Sequence, residues 1–420
     1  MAELGHEVVG IDSDAAKVAR LASAEAPFFE PELQELLERG VASGRLRFTT
    51  DLAEVASSVV HFVAVGTPEL GTDRVTDLSA LDRVFEDLVP HLEAGDIVVG
   101  KSTVPIGTAA RLAPAVEAVG ASLVWNPEFL REGYAVRDTF APNRLVYGVR
   151  EGDERSVRML EEVYEGLDGV DIPRIVTDFA TAELVKVSAN SFLATKVSFI
   201  NAMAEIAEAT GADVVQLSQA LGHDPRIGSL FLNAGVGFGG GCLPKDIRSF
   251  MAFADEVGTG QSLGFLREVE AVNERRRLRV VELAEDACGG SVRGRRVAVL
   301  GLAFKPDSDD VRDSPALRVA QELAARGAQV VATDPHAIET ARAAAPELVY
   351  ARTTAEALAG AELVVLVTEW RQYRGLDPLA TAELVDRPSI VDGRNCLDRD
   401  GWRAAGWDYR APGRPHLAAD

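Results

Sequence analysis

One glycine-rich segment of the sequence, GVGFGGGCLPKD (residues 235–246), combines a thiol with charged side chains. Its glycines allow a ligand to approach the backbone closely, because no side chain blocks the way. Lys245 and Asp246 follow Cys242, and a nearby ammonium raises the small thiolate fraction of a cysteine at neutral pH. If the segment turns into a helix, Asp246 returns to the face of Cys242. A small buried cysteine, the alternative, needs neither the glycines nor the charges. We therefore interpret Cys242 as a nucleophile.

Two further pairs of polar residues are spaced four apart. Lys186 and Asn190 lie in a stretch rich in alanine and valine, so in a helix they share one face. The lysine there either extends to solvent or acts in a site. Glu128 and Glu132 belong to NPEFLREG, which follows an apolar strand. Paired carboxylates usually form a solvated face, but the Asn-Pro pair indicates a fixed turn here.

Strand ends supply the remaining candidates. Asp12 ends an apolar strand, where a Rossmann domain places the carboxylate that binds the adenine ribose of NAD, although many strands end in Asp because a turn follows. VAVGTP (63–68) and KSTVP (101–105) put small and hydroxylic residues at strand ends, the edge at which such sheets bind ligands. The 43 basic residues include only six lysines, which favours a chemical role for some of them: Lys17, Lys101, Lys186, Lys196, Lys245 and Lys305.

The elements that must position these residues alternate between strands and helices. Continuous apolar strands separated by helical patterns, as in VVHFVAVGTP, DIVVGKSTVP and ASLVWNPEF, predict an α/β fold with doubly wound parallel sheets. From about Asp178 an alanine-rich stretch of more than 30 residues without proline predicts a long helix or a helix pair. A second α/β pattern begins near Arg295 with RRVAVLGLAF and ends near RPSIVDGRN.

The two α/β parts resemble each other. ELGHEVVGIDSDA aligns with ARGAQVVATDPHA, which pairs Asp12 with Asp334. In the second copy the strand and loop VAVLGLAFKP precede this stretch, whereas counting back from Asp12 to the expected phosphate loop runs off the N-terminus. We therefore expect the first domain to lack its first strand and phosphate loop, with a natural variant fold as the alternative.

Composition excludes several classes of protein. A chain of 420 residues with 47% hydrophobic and 26% charged residues is ordinary for a globular protein of two or three domains. A net charge of −22 disfavours nucleic acid and membrane surfaces as partners, and no apolar run is long enough to span a bilayer. Three widely spaced cysteines disfavour a disulfide framework or a metal site and indicate the cytoplasm. Cys288 and Cys396 lack the combination of a glycine-rich loop and a following Lys-Asp pair that accompanies Cys242, and they are interpreted as structural.

The motifs together resemble the UDP-glucose/GDP-mannose dehydrogenase family. The resemblance covers nearly the whole chain in the family's order: VGIDSD, VAVGTP, KSTVP, NPEFLREG, AELVKVSANSFLATKVSFINAMA, DPRIG, GVGFGGGCLPKD, AFKPDSDDVRDSPA and DGRN. The family's N-terminal glycine-rich loop is absent. The resemblance implies a Rossmann-like NAD-binding domain (1–178), a helical central domain that carries the cysteine loop and forms a homodimer (179–285), and a Rossmann-like domain that binds the UDP-sugar (291–412).

The resemblance also implies a four-electron oxidation of a nucleotide sugar's primary alcohol to a carboxylate, with two NAD. Cys242 would attack the intermediate aldehyde, and the thiohemiacetal would be oxidised to a thioester that water hydrolyses. The residues implied to stabilise the oxyanion or to order water are Lys186, Asn190, Asp246, Glu132 and Thr103. The positions that match cofactor contacts are Asp12, Lys17, Thr67, Thr103, Glu132, Lys245 and Arg312. The positions that match contacts with the nucleotide sugar are Glu128, Lys186, Asn190, Arg226, Phe231, Asn233, Gly237, Phe238, Gly239, Lys305 and Arg394, the last often from a neighbouring subunit.

Several alternatives remain open at this point. UDP-glucose is the favoured substrate, and GDP-mannose or another nucleotide sugar is the alternative. A two-electron dehydrogenase would need Lys186 and Asn190 but no cysteine nucleophile. Without its phosphate loop the chain could also be an inactive nucleotide-sugar-binding fragment with weakened NAD affinity, because backbone donors to the pyrophosphate would be lost.

Overall fold

The computed structural model describes residues 1–71, 75–167 and 171–416. The chain forms two compact units, one of residues 1–189 and 245–260 and the other of residues 190–244 and 261–420. The boundary between them runs through two helices. None of the helices in the described part of the chain is long and apolar enough to cross a membrane.

Within its described residues the first unit contains nine strands and six complete helices. The strands are β1 (Val8–Ile11), β2 (Leu46–Thr49), β3 (Val60–Val63), β4 (Glu69–Leu70), β5 (Val75–Thr76), β6 (Ile97–Gly100), β7 (Ser122–Trp125), β8 (Leu145–Gly148) and β9 (Arg174–Thr177). The helices are α1 (Ala15–Ala22), α2 (Leu33–Ala42), α3 (Ser79–Leu88), α4 (Thr108–Glu117), α5 (Ala135–Phe140) and α6 (Glu154–Val163). Short 3-10 turns lie at Ala2–Leu4, Leu52–Ser57, Val89–His91 and Glu165–Leu167.

The main sheet of this unit has the order β3-β6-β7-β8-β9 and is buried on both faces. Val98 and Leu123 pack with α3 and α4 on one face, whereas Val99 and Val124 pack with Leu160 of α6 on the other, as the alternation of side chains along a strand requires. The prediction of a wholly parallel sheet is wrong at one step, because β7 and β8 are antiparallel. Their pairing is confined to Trp125 and Gly148.

The first unit also contains a separate parallel pair, β1 and β2. Val8 to Ile11 lie opposite Leu46 to Thr49, and no strand within the described residues pairs with both β1 and β3. The corresponding strands of the second unit, β11 (Gln329–Thr333) and β13 (Leu363–Leu366), are both paired with β10 (Arg296–Leu300) in one continuous sheet. The two copies of the α/β pattern therefore differ at their centres.

The next helices in the chain include two that run from one unit into the other. These next helices are α7 (Phe179–Thr210), α8 (Val214–Gly222), α9 (Leu243–Glu256) and α10 (Gly264–Ala287), and a 3-10 turn covers Gly260–Leu263. Of the two possibilities that the alanine-rich stretch left open, the structure shows the single long helix, α7. The division between units falls within α7 and within α9.

The second unit ends with a six-stranded parallel sheet in the order β12-β11-β10-β13-β14-β15. Its strands are β10 (Arg296–Leu300), β11 (Gln329–Thr333), β12 (Val349–Tyr350), β13 (Leu363–Leu366), β14 (Ser389–Asp392) and β15 (Asp408–Arg410). Its helices are α11 (Pro315–Ala325), α12 (Ile338–Ala344), α13 (Thr354–Leu358), α14 (Arg371–Arg374), α15 (Pro378–Ala382) and α16 (Arg399–Ala404). Buried valines of β10 and β13 pack against α10 and α11. The predicted parallel sheet is confirmed here.

Candidate active site

Cys242 stands immediately before the first residue of α9, at the end of the glycine-rich loop. Its side chain is exposed, whereas Cys288 is buried and Cys396 is partly buried, and none of the three forms a disulfide. Pro244 lies in the first turn of α9, where its missing N–H costs no hydrogen bond. A helix N-terminus favours a negative charge and so favours a thiolate. The exposed cysteine is therefore the one suited to nucleophilic chemistry.

Polar side chains of the helices hold the loop that leads to Cys242. Asn201 of α7 accepts a hydrogen bond from Gly235 N at 2.9 Å. Asn273 of α10 accepts from Phe238 N at 2.8 Å and donates to Phe238 O at 3.0 Å, and Arg277 Nη2 donates to the same carbonyl at 3.1 Å. Asn273 is only 5% exposed. The backbone polar groups of this buried loop are thus satisfied by side chains that the sequence analysis did not identify.

The end of β14 holds the other side of the same loop. Val236 N donates to Gly393 O at 2.8 Å, and Arg394 Nη1 donates to Gly237 O at 3.0 Å. Arg394 also donates to the carbonyls of Val367 and Phe304, both at 2.8 Å. The predicted contact of Arg394 with a nucleotide sugar, from a neighbouring subunit or its own, stays a prediction. These three bonds use three of the five N–H donors of the guanidinium group.

Close contacts surround the glycines of the loop. Gly237 has φ +94°, and a Cβ there would overlap the side-chain oxygen of Asn273. A Cβ on Gly239 would lie 2.7 Å from Pro315 Cδ and closer still to the carbonyl oxygen of Asp313. A Cβ on Gly241 would lie 2.6 Å from the guanidinium nitrogens of Arg312. The structure therefore brings Arg312 against the residue that precedes Cys242.

Other predicted positions of the second unit lie on loops. Arg312 pairs with Asp310 (Nη2 to Oδ2, 2.7 Å), and the Nζ atom of Lys305 lies 5.3 Å from the centre of the Phe304 ring. Arg226 pairs with Asp224 at 2.6 Å while its side chain stays 88% exposed. Phe231 adopts φ +63°, a conformation that few non-glycine residues take, and Asn233 is exposed after it.

Lys186 and Asn190 both lie on α7, four residues apart, as predicted. Their exposed fractions are 9% and 8%, so both polar groups are buried. Within the first unit, Lys186 Nζ lies 5.5 Å from the centre of the Phe129 ring, and the guanidinium of Arg144 lies 3.9 Å from the same centre. Attraction to the face of an aromatic ring helps to orient a cation. Phe129 is therefore a support for Lys186 that sequence reasoning missed.

Glu128 and Glu132 lie in the loop between β7 and α5, which is not helical, as the Asn-Pro pair predicted. Glu128 Oε1 accepts hydrogen bonds from Phe129 N (2.7 Å) and Leu130 N (2.9 Å), and its Oε2 lies 3.0 Å from Lys101 Nζ. Buried Glu30 accepts from Gly133 N and Ala135 N, both at 2.7 Å, directly after Glu132. Two carboxylates thus fix the shape of this loop.

The predicted residues Thr67, Thr103 and Lys245 are close together in the first unit. Thr67 Oγ1 donates to Thr103 O at 2.7 Å and so ties the loops that follow β3 and β6. Thr103 and Lys245 line one small cleft, together with Thr76, Val187, Ser249 and Phe253. Lys245 also pairs with Asp246 at 2.7 Å, and Asp246 is 1% exposed.

Asp12 and Lys17 form an ion pair of 2.5 Å at the end of β1. The hydrogen bond from Lys17, together with that from Asp14 N, lowers the pKa of Asp12. The Asp12 side chain stays 32% exposed, so its carboxylate is ionised and reachable. Asp334, its counterpart in the second copy, is buried and accepts hydrogen bonds from Leu302 N, Ala303 N and Trp370 Nε1. Of the two aspartates, only Asp12 suits a ribose hydroxyl.

Three domain models of one protein family match this chain. The family model described as "UDP-glucose/GDP-mannose dehydrogenase family, NAD binding domain" matches residues 1–168, its central domain matches 180–275 and its UDP binding domain matches 298–399. The UDP-glucose 6-dehydrogenase of Rhizobium meliloti is 41% identical over 99% of this chain and 95% of its own length. UDP-glucose 6-dehydrogenase YwqF of Bacillus subtilis is 39% identical, over 99% of this chain and 94% of its own.

A solved structure is similar over the same extent. The UDP-glucose dehydrogenase from Pyrobaculum islandicum superposes with a TM-score of 0.88 at 39% identity, over 99% of this chain and 94% of that one. Matches of this extent do not support the N-terminal truncation and the missing first strand that the comparison of the two α/β copies predicted. The same matches do not favour the alternative that the chain is an inactive nucleotide-sugar-binding fragment.

Proposed function

Because the chain belongs to the UDP-glucose/GDP-mannose dehydrogenase family, we propose that it oxidises UDP-glucose to UDP-glucuronate. The relatives and the matched domains make it an NAD-dependent nucleotide-sugar 6-dehydrogenase. UDP-glucose as the substrate is inferred from the names of relatives that are 39% and 41% identical over nearly the whole chain. GDP-mannose is the alternative that the experiment must address.

The exposed Cys242 at the N-terminus of α9 carries the proposal of a four-electron reaction. A dehydrogenase that stops at the aldehyde has no use for a nucleophilic thiol. Here a loop with five glycines, held by Asn201, Asn273 and Arg394, leads to that thiol. A thiol so placed supports covalent capture of an aldehyde.

The proposed first oxidation removes a hydride from C6 of the sugar and a proton from its hydroxyl group. NAD supplies the hydride acceptor in both oxidations. Lys186 is the proposed stabiliser of the oxygen as it gains negative charge, since a buried ammonium acts strongly in a water-poor environment. Asn190 is proposed to donate a hydrogen bond to that oxygen.

In the proposed second oxidation the Cys242 thiolate adds to the aldehyde carbon, and the oxygen takes up a proton to give a thiohemiacetal. Loss of a second hydride and that proton leaves a thioester. Water then attacks the thioester, the C–S bond breaks, and the carboxylate and the thiolate are released with two protons. One sugar and one water are consumed, and two NADH and three protons are formed. Asp246, Glu132 and Thr103 are proposed to order or activate the water.

The remaining positions are assigned by the ligand they are proposed to contact. For NAD, the ionised and accessible Asp12 fits the donor set of a ribose, and its ion-pair partner Lys17 lies beside it. The other proposed cofactor contacts are Thr67, Thr103, Glu132, Lys245 and Arg312. The proposed nucleotide-sugar contacts are Glu128, Lys186, Asn190, Arg226, Phe231, Asn233, Gly237, Phe238, Gly239, Lys305 and Arg394.

We further propose that residues 1–178 bind NAD, residues 179–285 carry the cysteine and the dimer interface, and residues 291–412 bind the UDP-sugar. The homodimer is supported by Phe192, Phe199 and Ile206, which are about half exposed or more and recur every seven residues on α7. Such a stripe faces one side of a helix and suits a second copy of the chain. The cytoplasm is proposed as the location, because the mechanism needs a reduced Cys242.

The number of NADH molecules formed per limiting UDP-glucose tests the function. We expect two for the unmodified protein and no turnover with GDP-mannose. Cys242→Ser should give at most one NADH per sugar, because the aldehyde is no longer captured as a thiohemiacetal. Cys288→Ala, a substitution at a buried cysteine outside the proposed site, should still give two. A yield of one from the unmodified protein, or of two from Cys242→Ser, would contradict the proposed mechanism.

A further inference from the structure

Lys101 has no role in the mechanism proposed above, yet it is one of only six lysines and is mostly buried. It follows β6 directly, and its side chain is 15% exposed. Its Nζ atom donates to Asn126 Oδ1 at 3.1 Å and lies 3.0 Å from Glu128 Oε2. The lysine therefore ties the end of β6 to the loop that follows β7, both within the first unit.

Asn126 is held so that its oxygen faces Lys101. The residue is 1% exposed, and its Nδ2 donates to Val146 O at 2.9 Å. Its Oδ1 accepts from Tyr164 Oη at 2.7 Å as well as from Lys101. Exchanging the two ends of the amide would place its NH2 group against the Lys101 ammonium and its oxygen against the Val146 carbonyl. The tyrosine is itself fixed, since its ring stacks on that of Tyr147 at an angle of 6°. The ammonium group of Lys101 thus has one defined location.

The two carboxylate oxygens of Glu128 have different partners. Oε1 accepts from the backbone N–H groups of Phe129 and Leu130, and Oε2 meets Lys101. The side chain remains 39% exposed, so part of the carboxylate faces outward while both oxygens are held from within. Without Lys101, only the contacts to Oε1 would restrain the group, and Oε2 could rotate about them. An ionised partner matters because charge-assisted hydrogen bonds are about twice as strong as neutral ones.

We propose that Lys101 is a positioning residue that sets the orientation of Glu128 Oε2 for contact with the nucleotide sugar. The inference rests on the proposed function, because that function supplies the sugar contact of Glu128. Lys101 acts on the substrate through Glu128. Its loss should therefore weaken sugar recognition and leave NAD recognition, which depends on Asp12 and Lys17, unchanged.

The test compares Lys101→Met, Lys101→Arg, Glu128→Gln and the double variant Lys101→Met/Glu128→Gln. We expect Lys101→Met to lower kcat/KM for UDP-glucose by about 10-fold or more, the equivalent of one charge-assisted hydrogen bond, with KM for NAD within about twofold of normal. In the Glu128→Gln background the same change should cost less than about threefold, because the group that Lys101 positions is already altered. Lys101→Arg should recover part of the loss. Arg150→Met, which removes a surface ion pair with Glu117, is the matched control and should leave kcat/KM unchanged.

The two KM values separate positioning from a merely structural role. A loop that has lost its shape should impair both substrates, whereas loss of the oriented Glu128 carboxylate should raise KM for UDP-glucose and leave KM for NAD unchanged in Lys101→Met. Arg150→Met should change neither value.

Two results would overturn the proposal. One is an unchanged kcat/KM for UDP-glucose in Lys101→Met. The other is an equal loss of kcat/KM from Lys101→Met in the native and in the Glu128→Gln background. Failure of the proposed function would look different, since the unmodified protein would then form no NADH from UDP-glucose. In that case the melting temperatures of the unmodified protein, Lys101→Met, Glu128→Gln and the double variant decide whether Lys101 holds Glu128. Additive shifts would overturn the pairing, and a departure from additivity of about 2 °C or more would support it.

Discussion

The side-chain amide of Asn273 pairs with both backbone polar groups of Phe238, accepting from its N–H at 2.8 Å and donating to its carbonyl at 3.0 Å. Asn273 belongs to α10, and Phe238 lies in the middle of the loop that ends at Cys242. A backbone segment held from both sides by one amide has little freedom to shift. The orientation of the cysteine loop therefore depends on a residue 35 positions further along the chain.

Asn273→Ala should destabilise the protein and reduce turnover. The substitution leaves the Phe238 N–H without its partner in a buried loop, which costs about 1–3 kcal/mol. The Phe238 carbonyl keeps its bond from Arg277. Denaturation by urea measures the first effect, and kcat for UDP-glucose oxidation measures the second. Asn143→Ala, at an exposed asparagine, is the control. Wild-type stability in Asn273→Ala would show that the loop is held by other contacts.

Gly239→Ala should distort the same loop. The added Cβ would lie 2.7 Å from Pro315 Cδ and closer to a backbone oxygen, neither of which can move without shifting the chain. Overpacking of this kind costs about 1–3 kcal/mol. Gly264→Ala is the matched control in the same unit, because a Cβ there meets no atom within 4 Å. Gly239→Ala should therefore melt at a lower temperature than Gly264→Ala. Equal melting temperatures would contradict the steric argument.

Cys242 should be the one thiol that reacts in the native protein. It is exposed, whereas burial raises the pKa of Cys288 and of Cys396 and so suppresses their thiolates. An Ellman titration should count one thiol in the folded protein and three after unfolding. Cys242→Ser should reduce the native count to zero. A native count above one would mean that the buried cysteines become accessible on the time scale of the assay.

His61 should make the fold less stable at acidic pH. Burial lowers the pKa of His61, although the carboxylate of Asp96, 3.3 Å from Nε2, opposes the shift. The unfolded chain therefore binds this proton at higher pH than the folded protein. The free energy of unfolding that depends on neutral His61 is fully present above about pH 6.5. It is lost as the pH falls from there toward the pKa of His61 in the folded state. The fall in melting temperature between neutral and acidic pH should be smaller in His61→Gln. The same substitution at exposed His223 controls for the change of side chain.

Local patterns in the sequence determined much of the fold. Continuous apolar runs marked β1, β3, β6, β7, β10, β11 and β14. Strands such as β6 and β10 are covered on both faces and therefore need no polar residue. The alanine-rich stretch marked α7 for the same kind of local reason. The antiparallel step from β7 to β8 was missed, since the direction of a strand depends on the partner it meets in the sheet.

The chemistry of the candidate site divides in the same way. Cys242, Lys186 and Asp12 were identified from the residues beside them, because a thiol in a glycine-rich loop or a lysine in an apolar helix is unusual in its own neighbourhood. The residues that hold the cysteine loop were not identified from the sequence. Arg394 is 157 positions from Gly237, and an asparagine within a helix carries no sign of what it will bind.

Asp12 and Asp334 show that matching sequence positions can differ in burial and in hydrogen-bond partners. They follow matching strands in matching segments, and the sequence alone distinguishes them only by what precedes each copy. In the tertiary structure Asp334 is buried, with donors supplied by the loop after β10 and by Trp370, whereas Asp12 remains partly exposed beside Lys17. The type of a residue is a local property. Its partners and its access to solvent come from chain segments that only folding brings together, and these decide whether a carboxylate holds the fold or binds a ligand.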